Sequence, residues 1–197
     1  MTTALAAPFR IFSLHVVRTE RLGPSLVRVT FTGDDPASFL SDGCDQSLSL
    51  LLPHPGHSVP ASRWASRAGA GDRVVPLGPA VADNPAIRFR PPEDTDPVVA
   101  RGDETALPAV SAILEGPPAG LRARVWDRED SPSALGALRA TRLPSAERPY
   151  VWIAGESGQV KALRRHFAGE RAIDRRRVTF AGYWRQGFGE EQVREAG

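Results

Sequence analysis

Within the first ninety residues, hydrophobic and polar positions alternate with a period of two in the stretch that reads most clearly as a strand. In SLVRVTFTG, Val27, Val29 and Phe31 fall on one side and Arg28, Thr30 and Thr32 on the other, the pattern of a half-buried strand. FRIFSLHVVR before it and SLSLLLP after it predict further strands. GDRVVPLGP predicts a turn, a short strand ending near Pro76, and a second turn. In PASRWASRAGAGD, Ala61, Trp64, Ala65 and Ala68 recur at helical spacing until Gly69 and Gly71, which predicts a short helix over 60–68.

The pattern changes after PAIRFRPPEDTDPV, where Pro91, Pro92 and Pro97 interrupt both helix and strand. A boundary in this segment divides the chain into residues 1–93 and 94–197. Beyond it the order becomes strand, turn, helix. DPVVARG leads into a helix with Ala106, Val110, Ile113 and Leu114 on one face, ending at Gly116. LRARVW is a second strand and SPSALGALRA a second helix. Then RPYVWIAGESGQVKALRRHF repeats the arrangement: a strand through Tyr150–Ala154, a Gly-Glu-Ser-Gly turn, and a helix burying Val160, Leu163 and Phe167. A last strand ends at Gly182, Tyr183 and Trp184. Such alternation predicts a parallel sheet covered by helices, so the chain reads as a β module followed by a small α/β module.

Composition narrows the function more by exclusion than by indication. In 197 residues, 25 basic against 23 acidic side chains leave a formal charge of +2, too little to argue for nucleic acid. One cysteine, Cys44, allows no intramolecular disulfide and fits a reducing, cytoplasmic setting. No apolar run approaches the length of a membrane span. His15, His54, His57 and His166 have no metal-ligand spacing, so no metal site is expected.

Candidate chemistry sits in the turns of the second module. Asp103, Glu104 and Thr105 stand at the mouth of a helix, where Asp and Thr side chains cap free N–H groups and acids suit the dipole. RGDETA, AGESG and GYW all fall at carboxyl ends of predicted strands, where open parallel sheets gather ligands. None is a dinucleotide fingerprint or a P-loop. Asp103, Glu104 and Glu156 would repel a phosphate, so a ribose hydroxyl or an amide suits them better.

GDETALPA, YVWIAGESGQVKALRRHF and VTFAGYWRQG, in that order, resemble the C-terminal module of the siderophore-interacting protein family. LVRVTFTGDD, PASRWA and GDRVVPLGP are similar to that family's N-terminal module. The family comprises FAD-dependent ferric-siderophore reductases on the ferredoxin–NADP reductase plan. The resemblance implies an N-terminal antiparallel β-barrel for FAD over 1–93 and a parallel α/β module for NADPH or NADH over 94–197. It implies that Ala61 and Ser62 approach the flavin pyrophosphate, with Trp64 as a packing residue. It places the pyridine nucleotide at Gly102, Asp103, Glu104, Thr105 and Ala106, at Gly155, Glu156 and Ser157, and at Tyr183 and Trp184. Lys161, Arg164, Arg165 and Arg185 are candidates for an anionic siderophore or a 2′-phosphate, since basic side chains, and the Arg fork above all, suit such groups. The flavin carries the electron chemistry, so no catalytic side chain is required. The expected partners are a ferric siderophore and, as an alternative electron donor, a ferredoxin; the expected state is a cytoplasmic monomer without nucleic acid or membrane.

The chain departs from the family in two places. Near 56–57 the family carries an Arg-x-Tyr-Thr-x-Arg segment against the flavin ring, whereas here no tyrosine precedes Tyr150. Near 126–131 the family has more of the α/β module, including another strand. Two functions follow: a flavin-dependent reductase, or a flavin-deficient, non-catalytic relative that binds nucleotide or siderophore. A basic nucleic-acid-binding protein ranks well below both.

Overall fold

The computed structural model describes residues 7–24, 26–34, 36–40, 43–51, 64–116, 122–126, 134–140 and 145–187. They fall into two compact units, one of Met1–Asp42 with Gln46–Ala86, the other of Gly43–Asp45 with Ile87–Gly197.

The first unit is an antiparallel sheet of β1 (Phe9–Ile11), β2 (Leu14–Arg21), β3 (Val27–Gly33), β4 (Ser49–Leu51) and β5 (Arg73–Pro79). The alternation in β3 is the predicted one, each second residue half-buried. Two expectations are corrected. FRIFSLHVVR is two strands, because β1 pairs with the far end of β5 and β2 with its near end, so the chain steps across at Phe12 and Ser13. β5 also runs through Pro76 to Pro79. Within a strand the N–H and C=O of one residue point to the same side. The Pro76 carbonyl accepts from Phe12 N at 2.9 Å, so its missing N–H faces the step between β1 and β2, where the ladder is interrupted anyway. Of the predicted 60–68 helix, the described part is one short turn at Trp64 and Ala65. A cavity of about 320 Å³, lined by Phe12, Phe31, Phe39, Leu48, Leu50 and Pro76 among others, opens on the apolar side of this sheet.

The second unit is a four-stranded, wholly parallel sheet in the order β7 (Arg122–Trp126), β6 (Val98–Asp103), β8 (Tyr150–Glu156), β9 (Val178–Trp184). Among the described residues three helices accompany it: α1 (Leu107–Glu115), α2 (Ala134–Ala140) and α3 (Ser157–Arg165). Both faces are covered, so the central strands read as continuous apolar runs. Val98, Ala100, Tyr150, Trp152 and Ala154 pack with Val110 and Ile113 of α1. The residues between them, Val99, Val151 and Ile153, pack with Leu138 of α2, and with Val160, Leu163 and Phe167. The last three are the predicted buried face, with Phe167 in a wide turn, His166–Glu170, that continues α3. Leu114 is the exception to the predicted face of α1: it is 52% exposed. That face centres on Ala106, Val110 and Ile113, and one further residue rotates about 100° away from it.

Gly43–Asp45 joins this second unit through buried Asp45. Its carboxylate accepts from Arg88 N and Phe89 N at 2.9 and 2.8 Å and from Trp152 Nε1 at 2.8 Å. The Tyr150 hydroxyl, between Arg90 N at 3.1 Å and Thr179 Oγ1 at 2.7 Å, holds the same segment against the sheet.

Candidate functional site

The strand order locates the site. From β6 the chain moves to β7 on one side and then returns to β8 on the other, so the topology reverses between β6 and β8. Ligands of open α/β sheets sit outside the carboxyl ends of the strands at such a switch point. The residues there are Asp103 at the end of β6 and Glu156 at the end of β8, with Trp184 closing β9 alongside.

Asp103 is fully buried, yet none of its hydrogen-bonding capacity is wasted. Its Oδ1 accepts from Thr105 N at 2.9 Å and from Thr105 Oγ1 at 2.5 Å. Its Oδ2 accepts from Glu156 N at 2.8 Å and Trp184 Nε1 at 2.8 Å. One carboxylate therefore caps the 3-10 turn Glu104–Ala106 that opens α1 and ties the ends of β6, β8 and β9 together. Burial of so polar a group is tolerable because four donors replace its water.

Glu156 stands at the N-terminus of α3. Its Oε2 accepts from Gln159 N at 2.7 Å and its Oε1 from Gln186 N at 3.5 Å. The Ser157 hydroxyl donates to the Trp184 carbonyl at 2.9 Å. Two glycines make the approach possible. Gly155 has φ +136°, and a Cβ there would lie 2.4 Å from Asp103 Oδ2. A Cβ on Gly182 would lie 2.5 Å from Ser157 Oγ. Tyr183, 40% exposed, has its phenol pushed up to about 12, chiefly by burial and then by the Asp45 carboxylate, with Arg88 opposing.

The structure thus gathers Gly102, Asp103, Glu104, Thr105 and Ala106 with Gly155, Glu156, Ser157 and Trp184 at one edge, and Tyr183 precedes Trp184 there. Asp103 and Ala106 are closed to solvent, whereas Glu104, Thr105, Glu156 and Ser157 are half-buried. Of the four basic candidates, Lys161, Arg164 and Arg165 are neighbours on α3, at i, i+3 and i+4. Arg164 stacks on the Phe180 ring, 4.0 Å from its centroid, and Arg165 closes the last turn of α3, about 12 Å along the helix from Ser157. Lys161 lies between, and Arg185 follows Trp184 directly. Asp45 and Arg88, the charges flanking Tyr183, were not read as site residues, because SDGCDQS and AIRFR carry no periodicity that links them to GYW.

Ala61 and Ser62 lie outside the described residues, as do the joins at 56–57 and 127–131. Trp64 is half-buried in the first unit, its ring 9° from parallel to Phe31 with centroids 6.3 Å apart. Its turn is pinned by Thr19 Oγ1, which donates to the Ala68 carbonyl at 2.8 Å. Among the described residues there is no cluster of metal-ligating side chains and no helix long and apolar enough to cross a membrane.

An antiparallel unit followed by a parallel α/β unit is the ferredoxin reductase-like fold, and the solved ferredoxin reductase of carbazole 1,9a-dioxygenase, 15% identical, superposes on it with a TM-score of 0.65, covering 91% of this chain and 71% of that one. The siderophore-interacting FAD-binding domain model matches residues 15–61, and the siderophore-interacting protein model matches residues 127–187. The chain belongs to the siderophore-interacting protein family. It is 28% identical to the ferric vibriobactin reductase ViuB of Vibrio cholerae, with 92% of each chain covered. That alignment runs over 255 residues, more than this chain contains, so the relative carries residues that are missing here. An NADPH-dependent ferric-chelate reductase of Escherichia coli is 24% identical, with 89% of this chain and 93% of that one covered. The solved siderophore-interacting protein SipS of Aeromonas hydrophila is 24% identical and superposes with a TM-score of 0.75, covering 95% and 96% of the two chains, which shows the fold.

Proposed function

We propose that the protein is a cytoplasmic, flavin-dependent reductase of ferric siderophores, drawing electrons from NADPH or NADH, with a ferredoxin as the alternative donor. The observation that carries this reading is the pairing, in one chain, of an FAD-binding domain match over 15–61 with a hydrogen-bonded cluster at the switch point of a parallel sheet. The ferric reductases among its relatives support the substrate class.

In this reading residues 1–93 hold the flavin, with Trp64 as packing surface and Ala61 and Ser62 near the pyrophosphate. Residues 94–197 dock the nucleotide along Gly102–Ala106, Gly155–Ser157, Tyr183 and Trp184. FAD, when bound, supplies acceptance of a hydride and release of single electrons. One hydride carries two electrons, enough to convert two Fe(III) to Fe(II). Fe(II) is then held less tightly by hard oxygen donors. The chain's own residues bind and orient. Lys161, Arg164, Arg165 and Arg185 offer cations to an anionic chelate, Arg185 from beside Trp184 and the others along α3.

The second reading is a flavin-deficient relative. It is favoured by the lack of any tyrosine before Tyr150 and by shortening near 56–57 and 126–131, which the longer alignment with ViuB supports. The test is the visible spectrum of the purified protein after addition of excess FAD and removal of the unbound fraction, followed by ferric-siderophore reduction with NADPH and with NADH. Near-stoichiometric flavin bands and turnover are expected. A folded, colourless protein would overturn the reductase reading in favour of the second.

A further inference from the structure

Thr105 and Ser157 each carry one hydroxyl hydrogen, and both hydrogens are spent inside the protein. Thr105 Oγ1 donates to Asp103 Oδ1, an oxygen that also accepts from Thr105 N, while Oδ2 accepts from Glu156 N and Trp184 Nε1. Ser157 Oγ donates to the Trp184 carbonyl. What the two half-buried hydroxyls have left is lone pairs. Glu156, whose two oxygens already face Gln159 N and Gln186 N, offers further lone pairs and no hydrogen.

Resting on the nucleotide site proposed above, we infer that Asp103 is a positioning residue: by holding the Thr105 hydrogen, as the Trp184 carbonyl holds that of Ser157, it makes the two hydroxyls of this strand-end edge acceptors only. The ligand group seated at Thr105 and Ser157 is then a neutral or cationic hydrogen-bond donor, a cis-diol or a primary carboxamide, and not a phosphate. A helix N-terminus would by itself favour a phosphate. Here side chains that can only accept stand in front of α1 and α3 and reverse that preference. Asp103 never touches the ligand; it acts by fixing which way the Thr105 hydrogen points. In Asp103→Asn, one side of the amide must carry an NH2. The side facing Glu156 N and Trp184 Nε1 holds two N–H donors, and the side facing Thr105 holds one plus a hydroxyl that can rotate to accept. The NH2 therefore settles toward Thr105, and the Thr105 hydrogen is freed to point outward.

The experiment uses the full chain, flavin-loaded where flavin binds, and measures Kd by calorimetry, with ligand-observed NMR for weak probes. The probes are nicotinamide riboside, which carries a diol and a carboxamide but no phosphate, then NADH and NADPH, and inorganic pyrophosphate. In the wild type the riboside binds and pyrophosphate does not displace it. Thr105→Val weakens the riboside about tenfold and Thr105→Ser restores it to within about twofold, the scale of one hydrogen bond. Asp103→Asn shifts the ratio of riboside to pyrophosphate affinity about tenfold toward pyrophosphate, which a purely structural role would not do. Ser157→Ala, a milder change, lowers riboside affinity if the Thr105 variants fail to fold. Pyrophosphate displacing the riboside from the wild type, or riboside affinity unmoved by every variant, overturns the inference. If NADH and NADPH fail to bind while the riboside binds through Thr105, the dinucleotide reading falls and the acceptor surface stands. If the riboside fails as well, both fall.

Discussion

Gly155 sits where two demands meet that no side chain satisfies. Its φ of +136° lies outside the range of L residues, and the space above its Cα is taken by the Asp103 carboxylate. Gly155→Ala should lower stability by about 1–3 kcal/mol through backbone strain alone, and more if Asp103 is displaced from Glu156 N. Urea unfolding followed by circular dichroism would measure it. An alanine variant as stable as the parent would show that the turn relaxes without Asp103. His166 makes a related point about polarity. Arg171 Nε donates to its Nε2 at 3.2 Å, which leaves Nδ1 as the ring's donor, 2.7 Å from Glu170 Oε2.

At the level of elements, α1 separates burial from mere hydrophobicity. Ile113 is fully buried while Leu114 is 52% exposed. Ile113→Ala is expected to cost about 2–5 kcal/mol and Leu114→Gln less than about 0.5 kcal/mol, compared by thermal melting. Equal losses would mean that Leu114 is covered in solution. Where α3 passes into its wide turn, Glu170 meets Arg139 of α2 as well as His166, and these two hold its carboxyl down from 4.5 to about 2. A lowered carboxyl contributes stability that is present above about pH 4.5 and is lost as the pH falls toward 2. The contribution is modest because Glu170 is half exposed. Glu170→Gln should melt below the parent at pH 7, with the gap closing between pH 4.5 and 2. A constant gap across that range would exclude the ion pair as its source. The elements were legible wherever the pattern was local. The alternation of Val27, Val29 and Phe31 with Arg28, Thr30 and Thr32, and the spacing of Val160, Leu163 and Phe167, are written in nearby residues, and the structure follows both. The cluster around Asp103 was legible in its members but not in its wiring. The bonds to Glu156 N and Trp184 Nε1 join residues 53 and 81 positions apart, and no local periodicity encodes them. The passage of β5 through Pro76 was hidden for the same reason, since it depends on where β1 gives way to β2.

On the scale of the whole molecule, the two units differ in how their strands are protected. β6 and β8 lie inside a parallel sheet with helices on both faces and are almost wholly buried. β1 and β4 are three residues each, and Ile11 and Leu51 are 65% and 49% exposed. Amide hydrogen exchange should therefore be slowest in β8 and fastest among the described strands in β1 and β4. Equal protection in all four would mean that the first unit is covered by something further. Asp45 adds a constraint of a different kind, in time. It belongs with the second unit, but its partner Trp152 is made 107 residues later. At about 5–20 residues per second, a ribosome needs roughly 5–20 seconds to bridge that interval. Arg88 N and Phe89 N follow 43 and 44 residues after Asp45, but until Trp152 emerges the carboxylate lacks its side-chain donor. The second unit thus cannot finish as it leaves the ribosome from a start at Ile87; its last acceptor was delivered before the first of its strands.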